Sequence, residues 1–299
     1  MIKRIAIALL ICVTMARGAD VFLGDVSDIT WTGSGTNYYA SFGVDGWADP
    51  NSYVALWEME TTNTTQTLDT ASGGTNSLTL TPSVAAGPAW TIAGTNVDGR
   101  VEHSYYFDGV DDRLVGGLDA SYNTSTGTIS FWVFMTGDTF EGTAFTLMEN
   151  DSIAATELQV TIEVSATKHT VDIWCRTDGT MQWRARTTAA HALQGYTNQW
   201  AFMTIRQGGT EPQLHVNTDS IPLTFDTAVD KTKWADDCFA ATAPVDHTII
   251  GAFQYDGATF LRPFLGYLDQ VSITAEVMTT NTMQEFVDNT IPTNNIRIR

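Results

Sequence analysis

Three carboxylates fall within five residues, at Asp108, Asp111 and Asp112. Like charges this close repel unless a cation or hydrogen-bond donors compensate them. Calcium takes about six to eight oxygen ligands from carboxylates and carbonyls, so one reading is a calcium site. The other is a turn in which Asp108 bonds its own backbone and Asp111 and Asp112 face solvent. A second group suits a sugar, whose ring needs an aromatic plane for its C–H face and fixed polar groups for its hydroxyls. Trp174 has Asp172, Arg176, Gln182 and Arg184 around it, and Tyr255 and Trp234 are further aromatics in turn-rich stretches. Against that stands a Trp174 packed beneath a neighbouring loop, with arginines over it. Glu157 and Glu163 share one strand face but lie six residues apart, roughly 20 Å. A hydrolytic carboxylate pair needs about 5 to 10 Å. There is no Gly-x-Ser-x-Gly elbow and no His-Glu-x-x-His, and the five histidines are scattered. These residues point to a non-catalytic binding protein.

The sugar set depends on one hairpin. Val171–Arg176 and Met181–Arg186 flank Thr177-Asp178-Gly179-Thr180. A two-residue Asp-Gly loop would set Ile173 opposite Arg184 and mix core with solvent residues. A three-residue loop with Gly179 in the left-handed position aligns Val171, Ile173 and Cys175 with Met181, Trp183 and Ala185. A one-residue slip exchanges the faces, so the apolar pattern selects the second register and leaves Trp174 on a polar face.

The chain of 299 residues is 43% hydrophobic and 16% charged, enough apolar mass for a core. Its formal net charge of −19 argues against a nucleic-acid groove. Residues 1–19 carry Lys3 and Arg4, an apolar run from Ile5 to Val13, and the small residues Ala16, Gly18 and Ala19. That is the layout of a secretory signal peptide, with an apolar run too short to span a bilayer. No later run reaches spanning length, so the sequence predicts a secreted or cell-surface protein without a membrane span. Cys175 and Cys238 remain after cleavage, and in an oxidising compartment they either pair or sit as separate buried thiols.

Short β-like runs separated by Gly, Asn, Asp and Thr fill the rest. They are Tyr53–Trp57, Thr128–Met135, Leu158–Val164, Trp200–Arg206, Gln213–Asn217, His247–Phe253 and Leu265–Thr274. Thr128–Met135 is apolar on both faces and reads as a central strand. One short helix is expected over Thr279–Asn289. The pattern predicts an all-β antiparallel sandwich.

The segment Tyr105-Tyr106-Phe107-Asp108-Gly109-Val110-Asp111-Asp112-Arg113-Leu114-Val115 resembles the F-D-G-x-D-D-x-[VL] turn of laminin-G-like domains in the concanavalin A-like lectin/glucanase superfamily. Val54–Met59, Gly127–Val133, Gln199–Arg206, Ile249-Ile250-Gly251 and Gly266–Ile273 resemble other strands of that family, in its order. The resemblance covers residues 53–290, leaving 20–52 as a leading segment and 291–299 as a tail. It departs at Leu214–Asp219 and at Asp230–Asp246. It implies a concanavalin A-like jelly roll of two antiparallel sheets with one short C-terminal helix. It also implies a carbohydrate or cell-surface glycan as ligand, with a protein partner as the alternative. Calcium is implied either at the aspartate turn or where first and last strands meet, at Glu58 and Asp269. The E-x-D-x-x-E and E-x-D-x-E strands of the glucanases are absent.

Overall fold

The computed structural model describes residues 28–34, 37–43, 53–57, 66–67, 78–81, 89–91, 104–116, 125–149, 156–238, 247–256, 259–288 and 296–298. The signal segment and Glu58 lie outside the described residues. The chain divides into two units, residues 1–47 with 292–299, and residues 48–291. In the first, β1 (Asp28–Ser34) and β2 (Asn37–Gly43) form an antiparallel hairpin, and β22 (Ile296–Ile298) pairs with β2. The leading segment and the C-terminal tail therefore contribute to one three-stranded sheet.

The second unit is a sandwich. Its nine-stranded sheet contains β4 (Gln66–Thr67), β5 (Leu78–Thr81), β8 (Arg113–Gly116), β10 (Phe140–Glu149), β11 (Thr156–Val164), β12 (His169–Thr177), β13 (Thr180–Thr187), β17 (Leu223–Ala228) and β18 (His247–Ile250). Their spatial order is β17-β13-β12-β11-β10-β18-β8-β5-β4. The eight-stranded sheet contains β3 (Tyr53–Trp57), β6 (Ala89–Thr91), β7 (Ser104–Asp108), β9 (Gly127–Met135), β14 (Trp200–Gln207), β15 (Pro212–Val216), β16 (Asp219–Ile221) and β21 (Leu265–Thr274). It runs β16-β15-β14-β9-β21-β7-β6, with β3 also paired to β21. A separate hairpin joins β19 (Phe253–Asp256) to β20 (Thr259–Leu261), and α1 spans Thr280–Asp288. Every described strand pair is antiparallel, as expected for a jelly-roll sandwich with one short helix.

Period-two alternation builds the core. Leu158, Val160, Ile162 and Val164 of β11 face the other sheet, as do Ile129, Phe131, Val133 and Met135 of β9. Between them lie the fully buried Trp57, Trp183, Trp234, Phe145 and Phe264. Burying each such side chain contributes roughly 1.5 to 3 kcal/mol. The expected strand 247–253 is instead split. Gly251 turns the chain at φ +88°, and a Cβ there would lie 2.3 Å from the Phe107 ring.

The outer face of the eight-stranded sheet is aromatic. Trp132 and Phe202 sit 5.3 Å apart, and Phe286 of α1 stacks on Phe202 at 4.9 Å. Beside them Tyr106, Tyr267, Phe134 and Trp200 form a row across β7, β21, β9 and β14, each opposite the next.

Candidate functional site

The hairpin of β12 and β13 assigns the faces as the apolar pattern requires, by a different route. Thr177 pairs with Thr180, so the turn holds two residues, Asp178 and Gly179, with φ of 46° and 75°. That is the left-handed pair of a type I′ turn, in place of the expected three-residue loop. A β-bulge at Gln182 then shifts the register, so Cys175 opposes Trp183 and Ile173 opposes Ala185. The bulge does the work expected of the longer loop, returning apolar residues to the core and leaving Asp172, Trp174, Arg184 and Arg186 on the other face. Met181 opposes Arg176 rather than Cys175.

That outer face carries a network of ion pairs. Nε of Arg184 donates to both carboxylate oxygens of Asp172 at 3.1 Å, and its Nη2 closes on Oδ2. The bond to Asp172 raises the guanidinium's pKa still further. Nη2 of Arg186 reaches Asp172 at 3.4 Å, and its Nε faces Asp226 at 3.1 Å. Glu163 pairs with Lys168 at 3.2 Å, and Glu141 with Arg262 at 3.4 Å. Glu141 and Glu163 stand directly opposite each other on β10 and β11. Glu141, Glu163, Lys168, Asp172, Arg184 and Arg186, together with Thr161, Thr170, Thr187 and Thr188, line an open groove of about 360 Å³.

Trp174 does not offer a stacking plane to this groove. It is 7% exposed, and its Nε1 donates to Oε1 of Glu157 at 2.9 Å. The guanidinium carbons of Arg184 and Arg262 lie 5.5 and 5.4 Å from its ring centroid. Two cations therefore cover the ring, the second of the two arrangements open to it from the sequence. Arg262 arrives because Pro263 and Phe264 cross β10 at Gly142, where a Cβ would lie 2.6 Å from the Phe264 backbone. Glu157 is buried, and desolvation raises its pKa, opposed by Arg176, the Trp174 bond and Arg262. Arg176 is held at Glu157 (3.2 Å), and Gln182 donates to Thr177 (2.7 Å). Neither lines the groove.

Trp234 lies in the loop before the 3-10 helix, as expected, but its side chain is fully buried in the core beside Trp183, whose Nε1 donates to the carbonyl of Lys233, so it offers no plane to a sugar. Tyr255 lies on β19, at that hairpin's register shift. Cys175 is buried, and the 3-10 helix ending in Cys238 packs against β10, β11 and β12, the last of which carries Cys175.

The oxygens of Asp108, Asp111 and Asp112 lie within 4.8 Å of one another. Oδ1 of Asp108 accepts from Val110 N–H at 2.8 Å, and Oδ2 of Asp112 from Asp108 N–H at 3.0 Å. Burial pushes the Asp112 carboxyl up to about 6, against the lowering effect of the Asp108 amide. The turn thus bonds its own backbone, and its remaining carboxylate oxygens still suit a hard cation in donor type. Asp269 is fully buried on β21, accepting from Gln270 N–H at 2.7 Å, apart from this cluster.

Sequence reasoning placed Asp172 and Arg184 in the groove and missed Glu141, Thr161, Glu163, Lys168 and Arg186. The alternation of β11 carries a signal for Thr161 and Glu163, the polar partners of its apolar residues. Nothing local marks Arg262, which reaches Trp174 through a long-range crossing.

No family model matches the chain, and no curated protein matches it. Solved structures do. The chain is similar to the botulinum neurotoxin serotype D binding domain at TM-score 0.51 and 12% identity, covering 80% of this chain and 52% of that one. It is similar to the botulinum neurotoxin serotype D/C VPI 5993 binding domain at 0.53 and 10%, covering 81% and 53%. Domain 4 of AbnA, a GH43 extracellular arabinanase from Geobacillus stearothermophilus solved in complex with arabinotriose, matches at 0.50 and 12%, covering 78% and 97%. The chain spans about half the length of the toxin domains. At these identities the likeness is one of fold, a jelly-roll β-sandwich.

Proposed function

We propose that the chain is a secreted, non-catalytic carbohydrate-recognition module related to laminin-G-like domains, binding its glycan in the groove on the nine-stranded sheet. The observation that carries this reading is the groove, where fixed guanidinium, ammonium, carboxylate and threonine groups alternate on a sheet face open to solvent. Such groups present the donors and acceptors that sugar hydroxyls require. Asp172, Arg184 and Arg186 supply direct contacts, while Trp174 is a positioning residue that holds Arg184 from below. The shared fold of an arabinanase domain solved with arabinotriose supports the class of ligand. Calcium at Asp108, Asp111 and Asp112 would stiffen the turn between β7 and β8, and a Cys175–Cys238 bridge would tie the 3-10 helix to β12. A glycan array probed with the purified chain, with calcium and again with chelator, tests both parts. Saturable binding to one glycan class that Asp172→Asn abolishes while leaving the circular dichroism unchanged is expected. A blank array from folded protein would overturn the reading.

A second reading rests on Glu141 and Glu163. Directly opposed strand residues have Cβ atoms about 5 Å apart, the separation a retaining glycosidase uses between its carboxyls. Each glutamate is already held in an ion pair with its own cation, Arg262 and Lys168, so neither carboxylate is free to act on a glycosidic bond without breaking that pair. Release of reducing ends that Glu141→Gln and Glu163→Gln both abolish would favour hydrolysis instead.

A further inference from the structure

We infer that the groove selects a neutral glycan and rejects acidic ones. This inference rests on the reading of the groove as a glycan site and names its ligand class. The chain carries 34 acidic residues against 15 basic ones, yet the groove lining is balanced. Lys168, Arg184 and Arg186 face Glu141, Glu163 and Asp172. Flanking it, Arg262 and Asp226 add one charge of each sign. Every one of these cations already holds a carboxylate of the protein within 3.4 Å.

A uronate, sialate or sulfate ester entering the groove faces a choice of costs. It must draw a cation off its partner, or lie beside three carboxylates. Like charges held at contact distance repel, and the cations of the groove are already neutralised by the protein's own carboxylates. The acidic balance of the rest of the chain adds repulsion at longer range. A neutral hydroxyl meets neither cost. It accepts a hydrogen bond from a guanidinium and donates one to the carboxylate beside it, so it bridges an ion pair without breaking it. Arg184 is arranged for this. Its bonds to Asp172 use Nε and Nη2, and Nη1 has no hydrogen-bond partner among the described residues. Of the threonines lining the groove, Thr170 and Thr188 add hydroxyl donors and acceptors without charge.

The test is isothermal titration of the full chain with two series of oligosaccharides of matched length. The neutral series is β-1,4-glucan, mannan, xylan and arabinan; the acidic series is oligogalacturonate, alginate, sulfated galactan and sialyllactose. Each is run at about 50 mM and about 500 mM NaCl, where Debye lengths differ roughly threefold. We expect at least one neutral sugar to bind tenfold or more tightly than every acidic one, its affinity changing less than twofold with salt. An acidic sugar that binds as tightly, with affinity falling steeply with salt, would overturn the neutral-ligand inference while leaving the groove a glycan site. Binding by neither series would overturn the glycan reading itself, and this inference with it.

Discussion

The two outer faces of the sandwich are built from opposite materials. On the eight-stranded sheet Trp132, Phe202, Phe134, Tyr267 and Trp200 cover the surface, and α1 lays Met283 and Phe286 over part of it. On the nine-stranded sheet the equivalent face carries Glu141, Thr161, Glu163, Asp172, Arg184 and Arg186 around an open groove. Both faces come from strands with the same period-two alternation, and both back onto one core. The first face gains stability by removing apolar area from water. The second gains little from half-exposed ion pairs, since such pairs typically contribute about 0 to 1 kcal/mol. The proposed glycan site draws on this second face, whose polar groups are fixed by one another and contribute little to folding.

Substitutions should separate the two faces. The largest effect is expected from Phe202→Ala, which removes a buried ring between Trp132 and Phe286. Urea unfolding should show a loss of about 3 to 5 kcal/mol, with glycan affinity unchanged in the protein that remains folded. Asp172→Asn should do the reverse. It releases Arg184 and Arg186 together, so titration should record at least a tenfold loss of affinity, about 1.4 kcal/mol or more, with a smaller change in stability.

His215 tests the covered face by pH. It is buried on β15, and burial, aided by the positive charge of Arg206, pushes its pKa down to about 4. The unfolded chain binds that proton near pH 6.5 and the folded chain does not, so the stability it contributes is complete above about 6.5 and is lost as pH falls through 4. His215→Gln should flatten that limb by on the order of 1 kcal/mol in unfolding curves between pH 6.5 and 4. Asp112 opposes it. With its pKa raised, its protonated form favours the fold, and its contribution falls as pH rises from 3.8 to about 6. The smallest effect belongs to Lys168→Ala, whose side chain is 52% exposed. Stability should stay within about 0.5 kcal/mol by thermal unfolding.

Most of the fold is legible in the residues. Alternation in Leu158–Val164 and the doubly apolar run Thr128–Met135 specify two strands, and both appear as β11 and β9, although the polar face of β11 is buried as well, with Gln159, Thr161 and Thr143 bonded to one another. The faces of the β12–β13 hairpin follow from keeping Ile173 and Ala185 inside. The turn itself was not legible, because a two-residue loop with a bulge and a three-residue loop bury the same side chains. The groove was half legible. Asp172 and Arg184 stand out on a polar face, but whether Trp174 is open or covered depends on Arg262, some ninety residues away in sequence. Trp234 reads as available to a ligand because nothing near it in the sequence reveals that its ring packs into the core.

The proposed glycan site lies on the charged face and not on the aromatic one. A crystal structure of the chain with the tightest neutral oligosaccharide bound tests it directly. Sugar hydroxyls are expected within hydrogen-bond distance of Asp172 and Arg184, above a Trp174 still covered by its two arginines. A sugar ring stacked instead on the row of Tyr106, Tyr267, Phe134 and Trp200 would contradict it.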